Sequence, residues 1–179
     1  MVGADPTMVA KARQPSAMKP GQLKFPLHIP FVEELGLELW AFGDGKAELR
    51  VNLEEAHLNS WEVAHGGVLM TMLDVAMAHA ARSKSSHSPL DAPGVVTLEM
   101  KTSFMRPGQG TLRAVGTLLH KTTTLAFTEG SVFNEDQQLC AHATATFKFL
   151  RALPTSGRQS QALQHSPHDI HKDNLKDNR

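Results

Sequence analysis

Residues 65–82 read HGGVLMTMLDVAMAHAAR. A histidine and two adjacent glycines open a run in which Asp74 is the one formally charged residue between Gly66 and Ala81 when His79 is neutral. The spacing predicts a helix from about Gly66 to Ser83. Leu69, Leu73, Ala76 and Ala80 make one apolar stripe. Met70, Met77 and Ala81 make a second stripe that flanks Asp74. A helix this apolar must be covered on most sides. A strongly twisted antiparallel sheet can wrap the first stripe. The second then needs a ligand or another subunit.

The flanking sequence supplies that sheet. KAELRVNL (46–53) alternates, with Ala47, Leu49, Val51 and Leu53 on one face. LGLELWAF (35–42) precedes it across Gly43, Asp44 and Gly45, a hairpin-type turn. Four long runs follow the helix: GVVTLEMKTSF (94–104), GTLRAVGTLLH (110–120), TLAFTEGSVFN (124–134) and LCAHATATFKFL (139–150). In the first, Val96, Leu98, Met100 and Phe104 are read on one face. The links between the runs are short, and short links join antiparallel neighbours. The expected architecture is α+β: two strands, one long helix, then a four-stranded meander, all antiparallel.

Composition bounds the function. The chain has 179 residues, 41% hydrophobic and 20% charged, with a formal net charge of zero. That is one ordinary globular domain, and the neutral balance argues against a nucleic-acid or anionic-membrane partner. One cysteine, Cys140, excludes an intrachain disulfide and fits a reducing compartment. No secretory signal or membrane-length apolar run is visible, so a cytoplasmic protein is expected. Residues 1–24 read as a flexible N-terminal segment, 25–153 as the folded domain and 154–179 as a disordered polar tail. His165, His168 and His171 in that tail are spaced three apart, and a solvated tail is favoured over a metal site.

Gly66 and Gly67 begin the helix, where backbone N–H groups are free and the dipole is positive. Glycine lets a substrate oxygen approach those groups, so an oxyanion site and a simple tight turn both remain open readings. Asp74 lies eight residues beyond Gly66. At about 1.5 Å per residue that is roughly 12 Å, too far for a base to reach a carbonyl held at Gly66 of the same helix. Two antiparallel copies across a two-fold axis bring Asp74 of each to Gly66 of the other and give two equivalent sites.

LNSWEVAHGGVLMTMLDVAMAHAA, VTLEMKTSFMRPGQGTL and TLAFTEGSVF together resemble the hotdog-fold acyl-CoA thioesterases, in the branch typified by the phenylacetate-degradation (PaaI-like) enzymes. The resemblance runs from about Pro30 to Leu150. It implies a curved antiparallel sheet wrapped around one central helix, and hydrolysis of acyl-CoA without metal or organic cofactor. By resemblance, Asp74 matches the general base or nucleophile, and the Gly66 N–H matches the oxyanion donor. Asn59 and His65 match the polar pair beside the carbonyl. Thr97 matches a hydroxyl that helps place the water, from the same subunit as Asp74. Trp61 and Glu62 stand where the branch often has small residues or glycine.

Gly67, Met70 and Met77 are candidate substrate contacts, and Arg106, Lys121 and Arg82 are candidates to meet the CoA phosphates. The implied partners are acyl-CoA and a second copy of the chain, with a dimer of dimers left open. A rival reading is a non-catalytic acyl-CoA-binding or regulatory module. Asp74 speaks against it, since apolar binding needs no carboxylate beside the carbonyl. Acyl specificity is not set by the motifs. It depends on the dimer packing, the loop 84–93 and the segment 20–32.

Overall fold

The computed structural model describes residues 18–25, 27–84 and 92–150. The terminal segments 1–17 and 151–179, with His165, His168 and His171, and most of the loop 84–93 lie outside the described residues.

The elements run in the order α1 (Pro30–Glu34), β1 (Glu38–Gly43), β2 (Lys46–Asn52), a 3-10 turn (Glu55–His57), α2 (Gly66–Ser83), β3 (Val95–Phe104), β4 (Thr111–Lys121), β5 (Leu125–Phe133) and β6 (Leu139–Phe149). They form a six-stranded sheet of order β1-β2-β4-β5-β6-β3. Every neighbouring pair is antiparallel. The β1–β2 hairpin turns through Asp44 and Gly45, both at positive φ (49° and 75°), the pairing that matches strand twist.

The four-stranded meander is corrected. β4, β5 and β6 form a three-stranded meander, and β3 pairs with β6 at the far edge. The link from β3 to β4 crosses the end of the sheet instead of turning back beside β3. Its Met105 and Arg106 amides donate to the Cys140 carbonyl of β6, while its Gly108 carbonyl accepts from Ala64. The link thus spans only β6 and β5 before it enters β4.

A second correction concerns the faces of β3. The pairing with β6 slips between Thr97 and Glu99, a bulge at Leu98. The bulge reverses the alternation. Met100 and Phe104 lie opposite Ala145 and Ala141, on the helix side, whereas Val96 lies opposite the exposed Lys148.

The core lies between α2 and the concave face of the sheet. Leu69, Leu73, Ala76 and Ala80 are buried as the first stripe requires. Met77 and Ala81 are also buried, so the second stripe is not open as read. The reason is a close seat. Gly116 on β4 and Gly130 on β5 are register partners. A methyl on Gly116 would overlap the Ala76 carbonyl and lie 2.7 Å from the Met77 amide nitrogen. One on Gly130 would lie 2.9 Å from Met77 Cγ. The helix therefore sits directly on the glycine pair and drives Met77 into the sheet. The partly open face of α2 holds Gly67, Met70, Thr71, Asp74, Ala78 and Arg82 instead. Among the described residues no helix is long and apolar enough to cross a membrane.

His79 is a buried ionisable group of this core. Its Nδ1–H donates to the Val75 carbonyl at 2.8 Å, and Phe25 and Phe42 meet the ring edge-on. Nε2 is buried without a partner. Desolvation holds the imidazole down at about 4, against an ordinary 6.5. The unfolded chain therefore takes up a proton first as pH falls, and stability is lost between the two values. Urea unfolding should show a loss on the order of 2 kcal/mol from this group between pH 7.5 and pH 5. His79→Leu should flatten that slope, and equal slopes in the two proteins would contradict the burial argument.

Candidate active site

The site is built on the loop that enters α2 and on the strand that crosses it. The loop is closed at its base by backbone bonds. His65 N–H donates to the His57 carbonyl at 2.8 Å, and Leu58 and Ala64 form an antiparallel bridge. Inside the loop, the Asn59 side-chain oxygen accepts from the Trp61 N–H at 2.9 Å and the Val63 N–H at 3.5 Å. The Asn59 backbone N–H donates to the Val63 carbonyl at 2.9 Å. Asn59 thus organises the turn through its oxygen. Its amide nitrogen has no partner among the described residues and remains a donor.

Glu62 sits at φ 57°, in the left-handed region that favours glycine. This is one of the two positions where the chain departs from the pattern of the branch. The other, Trp61, is 81% exposed.

His65 is the N-cap of α2, and its Nδ1 accepts from the Gly67 N–H at 2.9 Å. A neutral ring in this bond carries its proton on Nε2, which leaves that edge a donor. The Val68 and Leu69 amides turn back to the His65 carbonyl at 2.9 and 3.4 Å. Of the first amides of the helix, the Gly66 N–H is the one left without a protein acceptor among the described residues. It stands at the positive end of the helix dipole. The half-exposed Phe104 ring flanks it, since a methyl on Gly66 would lie 3.5 Å from Phe104 Cζ. Sequence reasoning did not connect Phe104 with Gly66, because only the bulge in β3 turns that ring toward the helix.

Asp74 is partly exposed on the open face of α2. Thr97 Oγ1 donates to its Oδ1 at 2.7 Å. This is a short, charge-assisted bond that orients the carboxylate and leaves Oδ2 open. The two residues come from α2 and β3 of the same chain.

The structure therefore brings together two groups of residues. Asn59, His65, Gly66 and Gly67 gather at the start of α2, and Asp74 and Thr97 pair two turns farther on. Met70 lies between them and is 40% exposed. Met77 is fully buried in the core and lines no open surface. The three basic candidates come from separate places. The Arg82 guanidinium clamps the carbonyls of Pro93 and Ala92, and burial lowers its proton affinity. Arg106 reaches the Leu139 carbonyl at 3.3 Å, and Lys121 Nζ lies 4.7 Å over the Phe149 ring. No group of three or more His, Cys, Asp or Glu side chains with the geometry of a metal site occurs among the described residues.

Comparison with known proteins relates the chain to thioesterases. A family model described as the thioesterase superfamily matches residues 62–141, the stretch from Glu62 to the start of β6. The chain is 30% identical over 135 residues to the medium/long-chain acyl-CoA thioesterase YigI of Salmonella typhimurium, covering 69% of this chain and 87% of that one. Among solved structures, the conserved protein PA5202 of Pseudomonas aeruginosa aligns with a TM-score of 0.64 and 32% identity, over 70% of this chain and 97% of the other. A mutant of the phenylacetic acid degradation protein PaaI of Thermus thermophilus aligns with a TM-score of 0.60 and 26% identity, over 68% and 100%.

The cap at His65 is testable by itself. His65→Ala removes the acceptor for the Gly67 N–H, and loss of an N-cap typically costs about 1 kcal/mol. Denaturant unfolding at neutral pH should show a drop of that size. An unchanged midpoint would mean that the ring does not hold the start of the helix.

Proposed function

The chain belongs to the thioesterase superfamily, and on that footing we propose that it hydrolyses acyl-CoA to the free acid and CoA at a site shared across a two-fold dimer. The observation that carries the reading is on α2. An open N–H at Gly66 and a carboxylate at Asp74 share one helix, eight residues apart. A thioester carbonyl needs both kinds of group, an oxyanion donor and an activated nucleophile. The name carried by the Salmonella typhimurium relative supports the substrate class.

In this reading the carbonyl oxygen binds at the Gly66 N–H of one protomer, with the Asn59 amide and the His65 Nε2–H beside it. The partner's Asp74, oriented by its own Thr97, takes the proton of the attacking water or attacks the carbonyl directly. Charge that develops on the carbonyl oxygen is met by the Gly66 amide and the helix dipole. Collapse of the intermediate breaks the carbon–sulfur bond, and the CoA sulfur leaves. If Asp74 attacks first, water then cleaves the resulting anhydride.

The edges of the sheet support the dimer. β1 is covered at Leu39, where the Leu23 amide donates to its carbonyl at 2.8 Å. β3, at the other edge, is ten residues long and exposes Leu98 and Phe104 at 55% and 53%. A long, apolar open edge is a template for association. A second copy joined there lays the two helices side by side and antiparallel, as the separation of Gly66 and Asp74 demands.

Sedimentation at micromolar concentration should show a dimer or a higher assembly with no monomer, and an active monomer would refute the shared site. Asp74→Asn should keep the fold, the dimer and most of the apparent substrate affinity. Its turnover should fall by about 10²–10⁴-fold, the usual worth of a positioned base. Retention of more than about a tenth of turnover, short of that range, would make the carboxylate structural. Thiol release from an acyl-CoA panel is the readout.

A further inference from the structure

His57 is the buried residue of the 3-10 turn that precedes the site loop. Glu54, Glu55 and Ala56 are exposed, whereas His57 is 2% exposed. Its ring Nδ1 accepts from the Glu54 N–H at 2.9 Å, and its own N–H donates to the Glu54 carbonyl at 2.8 Å. These bonds close the turn. Its carbonyl serves the other side and accepts from the His65 N–H at 2.8 Å. The chain of bonds continues into α2, where His65 Nδ1 accepts from the Gly67 N–H at 2.9 Å. Asn59 stands two residues after His57, and Gly66 directly follows His65. The three open donors of the site, the Asn59 amide, the His65 Nε2–H and the Gly66 N–H, are therefore all carried by a loop whose base is His57. An apolar side chain could fill this interior position with no polar atom to satisfy. The imidazole adds the bond to Glu54.

Resting on the acyl-thioester reading above, we propose that His57 is a positioning residue of the active site. Its ring fixes the turn, and its carbonyl fixes the loop, so that Asn59, His65 and Gly66 can meet one oxygen. It touches neither the substrate nor the reacting atoms. The loop has other ties, the Ala64 N–H to the Gly108 carbonyl at 2.9 Å and the bridge between Leu58 and Ala64. These keep it closed when the ring bond is lost. Glu54 is exposed, so water can take up its N–H once the ring nitrogen is gone. Loss of that nitrogen therefore shifts the donors and leaves the domain folded. A misplacement of about 1 Å at reacting groups can cost on the order of 10²-fold in rate.

The test compares two polar replacements in the full-length protein, with acetyl-, octanoyl- and palmitoyl-CoA as substrates. His57→Asn puts an amide oxygen where Nδ1 stands. His57→Gln carries its amide one carbon farther, toward the place of Nε2. The asparagine variant should keep kcat within about threefold of wild type. The glutamine variant should lose about tenfold or more in kcat, with KM changed by less than about threefold. His57→Leu keeps the buried volume and supplies the comparison without an acceptor should the glutamine variant fold poorly. A second readout does not depend on turnover. The Gly66 and Gly67 amide resonances in proton–nitrogen correlation spectra should stay in place in the asparagine variant and move in the other two. Equal kcat in the asparagine and glutamine variants, or glycine resonances that stay fixed in all three, would overturn the proposal. So would losses that follow only the fraction of folded protein, read from denaturant unfolding. A folded wild type inert to every acyl-CoA would overturn the thioesterase reading and the catalytic part of this one, and the glycine resonances would still report separately whether His57 holds the start of α2.

Discussion

The helix α2 can approach the sheet as closely as it does because Gly116 and Gly130 face each other across β4 and β5. Any side chain at Gly116 would strike the helix backbone at Ala76. That contact sets both the height and the rotation of α2. It forces Met77 inward against Gly130, and Asp74, one turn before Met77 and about 60° round the helix from it, is left at the edge of the seat and partly exposed. A carboxylate in so apolar a helix would be costly to bury unpaired. The rotation leaves Asp74 partly open and within reach of a hydroxyl on β3, which removes that cost without a buried counter-charge.

β3 depends on the same seat and on its own bulge. Regular alternation from Val96 would have placed Leu98, Met100 and Phe104 on the same face as Val96, with Thr97 on the other. The extra residue at Leu98 changes the phase between Thr97 and Glu99. Thr97 then points to Asp74 while Met100 and Phe104, beyond the bulge, also face the helix. One irregularity in an edge strand thus serves both groups of site residues: it keeps the hydroxyl on the acid and brings a ring beside Gly66. The same edge exposes the apolar side chains of Val96, Leu98 and Phe104.

The loop before α2 shows how a site can be held firmly and still leave donors free. Its backbone is tied to His57, to Gly108 and to itself. The Asn59 oxygen and the His65 Nδ1 are both engaged in fixing the turn and the helix start. What stays open is the complementary half of each group: the Asn59 amide, the His65 Nε2–H and the Gly66 N–H. These are all donors, at the positive end of a helix, which suits an oxygen that gains negative charge. Glu62, at positive φ within this loop, is held there by the bonds around it, since its N–H donates to the Asn59 carbonyl at 3.0 Å.

Local pattern was enough for the elements themselves. The helical recurrence of Leu69, Leu73, Ala76 and Ala80, the alternation of Ala47 to Val51 and the Asp44–Gly45 turn are properties of neighbouring residues, and each stands in the structure where the periodicity put it. The HGG motif and Asp74 were equally visible, because steric freedom at glycine and a lone charge in an apolar run are local facts. Partnership between distant segments was not. A six-residue link can turn back or cross a curved sheet, so β3 was placed beside β4 when it pairs with β6. A one-residue bulge is silent in composition yet moved Phe104 to Gly66. Met77 looked like surface because its cover comes from Gly130, more than fifty residues away. Periodicity reports which face a residue takes on its own element. Which element meets that face is decided by packing the whole chain at once, and only the tertiary structure carries that information.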